Sequence, residues 1–237
     1  MRQGTQPPMK QGAQPPMRLL VMNPNSSQAI TNRIQREVKA FETSQLRIDV
    51  ITSKDGPAAI ITDADELAAG YCGVRELQQR EAGYDAMIIA CASDPGLSAA
   101  RETLGIPVVG IFEAAIHICN MAGNRFCIVA SGDEGEIPCF AQMVGRYGYE
   151  SRFTSVETLG AGVLGVSESD IDTIEEKINR AKRQSGVNAA ILGCAAFAGM
   201  GRQLSKRCGI YVSDGIGESI LLAKALAELN WIRQNSR

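Results

Sequence analysis

Two cysteines occupy equivalent places in an internal repeat. Residues 84–97 read YDAMIIACASDPGL, and 103 positions later residues 187–200 read VNAAILGCAAFAGM. In each copy a run of small and apolar residues ends in a cysteine, Cys91 or Cys194, and a glycine and an apolar residue follow at the fifth and sixth positions after it. Such a repeat predicts two similar units, each presenting one thiol at the same point of its fold.

Paired thiols of this kind suit proton transfer at a carbon next to a carbonyl group. A thiolate can remove the proton from one face of a flat ligand while a thiol returns a proton to the other face, and the roles exchange for the opposite enantiomer. Acid–base steps of this type typically contribute about 10²–10⁴-fold each, and they need pKa values near the working pH. The expected chemistry is racemisation, and it demands no metal or organic cofactor.

The residues after Cys91 lead to a prediction about the pKa of the thiol. Ser93 and Asp94 offer a polar cap, and Pro95 follows at the first helical position, which is a favourable helix start. A thiol just ahead of a helix gains from the positive end of the helix dipole, so we expect a lowered pKa. Cys194 stands at the equivalent place in the second copy.

The rest of the chain supplies elements that could position the two thiols. Apolar runs alternate with helical periodicity, as in residues 27–41, where apolar side chains recur at steps of four and three. We predict strands over 19–22, 46–51, 86–92, 108–111, 125–130, 153–158, 189–195 and 210–213. Alternation of strands and helices predicts parallel sheets covered by helices, which is an α/β fold. Ligands of such sheets bind outside the carboxyl ends of the strands, so both cysteines should face a cleft between two lobes.

Composition excludes several classes of partner. The 237 residues are 45% hydrophobic, which is enough for one large domain or two lobes. A net charge of −2 and 5% aromatic content argue against nucleic acid binding. We find neither a span of about 20 apolar residues nor the apolar core of a signal peptide, so we expect no membrane partner and a cytoplasmic location. The seven cysteines contain no Cys-x-x-Cys pair and His117 is the single histidine, so neither a disulfide framework nor a His-rich metal site is expected.

The chain also suggests its own division into parts. Residues 2–9 and 10–17 are nearly the same octad, rich in Gln, Gly and Pro, which predicts a disordered tail. A second parallel, between MRLLVMNPNSS at 17–27 and NRFCIVASGDE at 124–134, supports the repeat. The predicted parts are a tail over 1–17, a first lobe over 18–120 plus 215–237, and a second lobe over 121–214.

From Arg18 to about Leu229 the sequence resembles the aspartate/glutamate/hydantoin racemase superfamily, and most closely its hydantoin and allantoin racemase branch. The motifs that carry the resemblance are NPN at 23–25, CASDPGLSAARETLGIPVVGIFEAAIH at 91–117, RFCIVAS at 125–131 and ILGCA at 191–195. The resemblance implies two pseudosymmetric lobes, catalytic cysteines at Cys91 and Cys194, and a homo-oligomer.

The resemblance also implies a substrate site. A cyclic imide or ureide would be held by Asn23, Ser93 and Ser131, with backbone N–H groups near Ala92 and Ala195. Such donors around the ring carbonyls would stabilise the enolate that forms when the proton leaves. The chain departs from the family pattern in two places, since Phe197 is inserted after the second cysteine and the strand from 125 ends in Ala130-Ser131 instead of two threonines.

Other functions of the same superfamily stay open. They are racemisation of aspartate or glutamate, a cis–trans isomerisation of maleate type, decarboxylation with one cysteine, and ligand binding without activity. An amino-acid racemase must hold a carboxylate and an ammonium group, whereas the strand ends here offer mostly Asn, Ser and Ala, which favours a neutral ring. The presence of both cysteines argues against the last two functions.

Further polar residues are expected to have mainly structural roles. His117 lies on an apolar helical stretch and should pack, and Asp94 should cap a helix. Glu113 and Glu218 occupy matching places in the two copies and should tether their helices, while Asn25 could serve either the turn or the substrate. The cysteines expected to be packing or surface residues are Cys72, Cys119, Cys127, Cys139 and Cys208.

Overall fold

The structure is a computed structural model that describes the backbone of residues 15–235 and the side chains of residues 15–231. It contains all eight predicted strands: β1 Met17–Asn23, β2 Leu46–Thr52, β3 Ala86–Ile89, β4 Val108–Gly110, β5 Phe126–Ala130, β6 Phe153–Thr158, β7 Ala189–Leu192 and β8 Tyr211–Ser213. β3 and β7 end before the cysteines, so the predicted strands over 86–92 and 189–195 were too long and both thiols lie in loops. The predicted tail lies largely outside the described residues, and Met17 already belongs to β1.

Helices follow the strands in nearly regular alternation. They are α1 Gln28–Val38, α2 Asp63–Gln78, α3 Leu97–Thr103, α4 Ile111–Ala122, α5 Ile137–Arg146, α6 Ile171–Ser185, α7 Gly201–Cys208 and α8 Ile216–Asn235. Four one-turn 3-10 helices add to them: Glu81–Gly83, Glu134–Glu136, Glu168–Asp170 and Ala195–Phe197. α1 shows how the sequence sets an element, because Ser27 caps its first turn and Ile30, Ile34 and Val38 form its buried face.

The strands form two parallel four-stranded sheets with the same topology. The orders are β2-β1-β3-β4 and β6-β5-β7-β8. The register also repeats, since Leu19 pairs with Ala86 in the first sheet and Phe126 with Ala189 in the second. The predicted α/β fold with two pseudosymmetric lobes is therefore confirmed.

Two helices are exchanged between the lobes. α4 follows β4 of the first sheet but packs on the second, where Phe112 and Ile116 share a core cluster with Phe126. α8 follows β8 of the second sheet but packs on β1, β3 and β4 of the first. The predicted boundary at residue 120 placed α4 in the first lobe, whereas α4 packs mainly on β7 and β8 of the second sheet. The sequence pattern of α4 shows that the helix is apolar but not which sheet covers it.

Apolar side chains fill both sheets and the space between them. Leu19, Leu20, Met87 and Phe126 are at most 1% exposed, and burial of such side chains contributes about 1.5–3 kcal/mol each. Every one of the seven cysteines is a free thiol. None of the helices within the described residues is long and apolar enough to cross a membrane.

Candidate active site

A cavity of 620 Å³ lies between the lobes at the carboxyl ends of the strands. The first lobe lines it with residues that follow β1, β2 and β3, and the second lobe with residues that follow β5, β6 and β7. The two walls are thus built from matching segments. Six of the seven predicted site residues line this cavity: Cys91, Ala92, Ser93, Ser131, Cys194 and Ala195.

Cys91 lies two residues beyond β3 on the wall of the first lobe. Its Sγ is 3.6 Å from Ser93 Oγ, and the N–H of Ser93 also donates to the thiol. The loop then turns at Asp94, whose φ of 47° is the one positive value for a non-glycine residue between 15 and 235. Such a conformation costs about 1–3 kcal/mol, so other contacts must hold the loop in place.

Cys194 lies two residues beyond β7 on the opposite wall and is 8% exposed. Its Sγ accepts a hydrogen bond from the N–H of Ala196 at 3.4 Å, which repeats the bond between Cys91 and the residue two positions after it. A second hydrogen bond comes from Ser131, at the end of the neighbouring strand β5. The two thiols are near enough for the charge of one to affect the pKa of the other.

The environment of the thiols overturns the prediction of lowered pKa values. Burial raises the pKa of Cys91 to about 12, and the hydrogen bonds from Ser93 offset only part of this effect. Burial also raises the pKa of Cys194. The prediction was wrong because neither thiol stands at the start of an α-helix, since α3 begins only at Leu97 and α7 at Gly201.

Arg33 of α1 fixes the turn after Cys194 from the opposite lobe. Its guanidinium donates to the carbonyl oxygens of Ala196 and Val166, each at 2.6 Å. The positive charge also lowers the pKa of Cys194, against the larger effect of burial. The motifs around the cysteines gave no sign of this residue, because it lies 161 positions from Cys194 in the sequence.

The structure corrects the prediction that Asn23 lies in the site. Asn23 is fully buried, and its Nδ2 donates to Asn25 Oδ1 at 2.9 Å, Ser27 O at 3.1 Å and Thr31 Oγ1 at 3.1 Å. This amide is consumed by the turn after β1 and does not line the cavity. Asn25 does line it, and its Nδ2 has no hydrogen-bond partner among the described residues.

Ser131 anchors the glycine-rich loop that closes one side of the cavity. The carbonyl of Ser131 accepts from the N–H groups of Ala161 at 3.0 Å and Gly162 at 2.8 Å. Gly160 and Gly162 have φ values of 74° and 68°, which a glycine adopts without strain. The loop therefore brings backbone, and few side chains, to the ligand space.

Four carboxylates that the sequence analysis missed line the cavity: Asp63, Glu66, Asp133 and Glu136. No Lys, Arg or His belongs to the lining within the described part of the chain. Burial raises the pKa of Glu66 and of Glu136, and each has an acidic neighbour that raises it further. Arg146 is near enough to lower the pKa of Glu66 but is not part of the wall. The signal was the pair of acidic tetrads, DADE at 63–66 in the segment after β2 and DEGE at 133–136 in the segment after β5.

Several residues singled out from the sequence lie outside the cavity. Phe197 is fully buried in the core, so the inserted aromatic does not narrow the ligand space. His117 Nδ1 is 3.0 Å from Tyr149 Oη and packs against aromatic rings. Glu113 binds Arg101, and Glu218 accepts from Tyr211 Oη at 2.6 Å. The carboxylate of Asp94 binds the first turn of α4 and does not cap the adjacent helix α3.

Comparison with known proteins shows which family has this arrangement of lobes and cavity. The profile of the Asp/Glu/Hydantoin racemase family matches residues 19–223. The chain belongs to this family. It is 32% identical over 216 residues to a hydantoin racemase of Pseudomonas sp. (strain NS671), covering 90% of this chain and 86% of the relative. A hydantoin racemase of Paenarthrobacter aurescens is also 32% identical, with coverage of 90% and 92%.

Solved structures extend the comparison. An allantoin racemase from Klebsiella pneumoniae superimposes with a TM-score of 0.83 at 29% identity, covering 90% of this chain and 88% of that one. The chain is thus a racemase of the branch that includes the hydantoin and allantoin racemases. A glutamate racemase from Campylobacter jejuni subsp. jejuni, at 18% identity and a TM-score of 0.54, shares the fold.

Proposed function

We propose that this racemase interconverts the enantiomers of a cyclic ureide, either a 5-substituted hydantoin or allantoin, by proton transfer at the ring carbon next to a carbonyl. Cys91 and Cys194 are the two acid–base groups. The observation that carries the proposal is that both thiols line one cavity from opposite lobes, each two residues beyond an equivalent strand. The names of the two bacterial hydantoin racemases and of the allantoin racemase agree with this substrate class.

The proposed reaction has two proton transfers. The thiolate of one cysteine takes the proton from the ring carbon, and the electron pair of the C–H bond moves into the carbonyl to form an enolate. The thiol of the other cysteine then gives its proton to the opposite face of that carbon. The product leaves with inverted configuration, and the two cysteines have exchanged protonation states, ready for the other enantiomer.

The raised pKa of Cys91 has two opposed effects on its role as base. A thiolate with a high pKa is a strong base, which suits a weakly acidic C–H bond, although its population at neutral pH is small. The developing enolate needs hydrogen-bond donors that already point at it. We assign this role to Asn25, whose amide nitrogen is free within the described residues, together with the hydroxyl groups of Ser93 and Ser131 and the N–H groups near Ala92 and Ala195.

The charge of the cavity favours a neutral ring over the alternative substrates. Aspartate, glutamate and maleate carry two carboxylates, and each would enter a space lined by four carboxylates and no basic side chain of the described residues. A like charge at about 4 Å costs about 1 kcal/mol in water and more in a partly buried cavity. The N–H groups of a cyclic ureide, by contrast, can donate to carboxylates such as Glu66 and Glu136.

The test is deuterium incorporation from D₂O into each enantiomer of allantoin and of 5-benzylhydantoin, corrected for spontaneous exchange. The wild-type protein should catalyse deuterium exchange and racemisation of at least one of these substrates, starting from either enantiomer. Cys91→Ser and Cys194→Ser should each lose racemisation by about 10²–10⁴-fold. Cys72→Ser, a free thiol of α2 that does not line the cavity, is the matched control and should keep the activity.

Two outcomes would overturn the proposal. If neither ring exchanges above background while glutamate or aspartate does, the ureide assignment falls. If both cysteine variants racemise a ring as fast as the wild-type protein does, the two-thiol mechanism falls and the substrate class stands.

A further inference from the structure

Two buried aspartates lie directly behind the cysteine loops. Asp94 is 3% exposed and Asp214 is 7% exposed, and neither lines the cavity. The proton transfers proposed above do not use them. Their contacts nevertheless connect each cysteine loop to a helix that packs on the opposite lobe.

Asp94 fastens the loop of Cys91 to the second lobe. Its carboxylate accepts from the N–H groups of Phe112 at 3.1 Å and Glu113 at 2.8 Å, in the first turn of α4, and from the hydroxyl of Tyr147 at 3.1 Å. Its own N–H donates to the carbonyl of Cys91 at 3.0 Å. Because α4 and Tyr147 both pack with the second sheet, Asp94 sets the position of Cys91 relative to the lobe that carries Cys194.

Asp214 does the same for the loop of Cys194. Its Oδ2 accepts from the N–H groups of Gly199 at 2.9 Å and Gly201 at 3.2 Å, and its Oδ1 accepts from the N–H of Ile216 at 3.1 Å. Ile216 begins α8, which packs on the first sheet. The loop of Cys194 is therefore fixed to an element of the lobe that carries Cys91.

The two carboxylates reach corresponding places from opposite elements. The strand registers align Gly110 with Asp214, and the internal repeat aligns Asp94 with Phe197. A Cβ atom added to Gly110 would lie 2.2 Å from the carboxyl carbon of Asp94, so this carboxyl group fills the space that a side chain at 110 would need. Each half of the molecule thus keeps one buried carboxylate between the cysteine loop and the crossing helix, although the two halves encode it at different positions.

We propose that Asp94 and Asp214 are positioning residues that each serve one thiol, Asp94 for Cys91 and Asp214 for Cys194. This inference rests on the proposed two-thiol racemisation. The positive φ of Asp94 supports it, because the loop holds a strained conformation at the point where the carboxylate binds α4.

A racemase offers a specific way to see such a division of labour. The two enantiomers have equal free energy, so kcat/KM must stay equal in the two directions whatever is substituted. The primary isotope effect of a C5-deuterated substrate is not bound in this way. Loosening one cysteine makes C–H cleavage more rate-limiting for the hand that this cysteine deprotonates. It makes C–H cleavage less rate-limiting for the opposite hand, which the other cysteine deprotonates and which this cysteine then reprotonates on its own face.

The experiment compares Asp94→Asn, Asp214→Asn and Tyr147→Phe with the wild-type protein, using both C5-deuterated enantiomers of the better ring substrate. The amide of Asn carries N–H donors, which would face the backbone N–H groups that now donate to the carboxylate, so the loop should shift. A misplacement of about 1 Å can cost about 10²-fold in rate. Asp94→Asn should raise the isotope effect for one hand and lower it for the other, and Asp214→Asn should do the reverse. Tyr147→Phe should follow Asp94→Asn with a smaller change. The control is Asp85→Asn, because the carboxylate of Asp85 also accepts from a backbone N–H, that of Arg18, but lies at the opposite end of β3 from Cys91.

A second measurement needs no substrate. Mass spectrometry gives the rate of alkylation of each cysteine by iodoacetamide, and Asp94→Asn should change the rate at Cys91 and leave Cys194 as in wild type, with the reverse for Asp214→Asn. Equal changes at both thiols, or isotope effects that move in the same direction in both variants, would overturn the inference. If no ring is racemised, the proposed function fails, and the alkylation rates still decide whether each aspartate serves one thiol.

Discussion

The Cys91 half and the Cys194 half of the cavity share a backbone arrangement but not the side chains around the thiol. Each cysteine follows its strand by two residues and accepts from the N–H two positions later. The hydroxyl near Cys91 belongs to Ser93 of its own loop, whereas the hydroxyl near Cys194 belongs to Ser131, the residue that follows β5. The position that corresponds to Ser131 in the first lobe is Pro24, which has no hydroxyl.

The same difference appears for the charged groups. The carboxylate behind Cys91 belongs to the loop, at Asp94, and the one behind Cys194 belongs to the end of β8, at Asp214. The Cys194 turn is also held by a cation, because Arg33 of the first lobe donates to the carbonyl of Ala196. The two halves therefore place similar functional groups around the thiol, but they take these groups from different positions in the sequence. The thiolate of Cys194 receives more stabilisation than that of Cys91.

The largest expected effect concerns the reactivity of the two thiols. At pH 8 Cys91, with its pKa near 12, should react with iodoacetamide about 10²-fold more slowly than an unburied cysteine, because lost thiolate outweighs the gain in nucleophilicity. Cys194 should react faster than Cys91, and both rates should rise with pH, since a raised pKa leaves more thiol to ionise. Peptide-resolved alkylation from pH 7 to 10 measures this, with glutathione as the reference thiol. Faster reaction at Cys91 would reverse the comparison.

Arg33→Met is expected to damage the Cys194 half selectively. The variant keeps the length of the side chain but loses hydrogen bonds to Ala196 and Val166, and charged hydrogen bonds contribute about 1.5–3 kcal/mol, so racemisation should fall by about 10-fold or more. The isotope effects for the two hands should shift in the pattern of Asp214→Asn. Arg36→Met is the matched control, because Arg36 is exposed and its ion pair with Glu168 spans 4.0 Å. A shift in the pattern of Asp94→Asn would contradict the assignment.

Asn23→Ala tests whether the amide at the end of β1 serves the fold. Loss of a buried side chain with three acceptors should lower the free energy of unfolding by about 1–3 kcal/mol. The corresponding residue of the second lobe is Ala130, so this network is a property of the first half only. Urea denaturation measures the effect, and Asn32→Ala, an exposed site on α1, serves as control. An unchanged midpoint would mean that the turn does not depend on the amide.

The smallest expected effect concerns the carboxylates that line the cavity, Glu66 on the first lobe and Glu136 on the second. Glu66→Gln and Glu136→Gln each remove one carboxylate from the lining, so the KM for a hydantoin with a carboxylate side chain should fall about fivefold, or about 1 kcal/mol, whereas the KM for a neutral hydantoin should not fall. The variant of the carboxylate that lies nearer the ring substituent should show the larger change in KM. Glu134→Gln, on the same turn but outside the cavity, is the control. Equal KM changes for both substrates would show that charge is not read at these positions.

The sequence by itself determined the eight strands, the α/β class and the two lobes, because alternating apolar runs and helical periodicity are local properties of the chain. It also placed Cys91 and Cys194 at equivalent strand ends, since the repeat preserves that spacing. Resemblance of the motifs to a known family placed six of the seven predicted site residues on the cavity wall.

Tertiary structure alone decided the packing of α4 on the second lobe, the choice of Asn25 over Asn23 for the cavity, and the raised pKa of both thiols. It also decided that Arg33 and the two buried aspartates hold the cysteine loops. The physical reason is common to all of these features. Burial, charge and hydrogen-bond saturation depend on neighbours that are distant in sequence, whereas periodicity and capping depend only on neighbours along the chain.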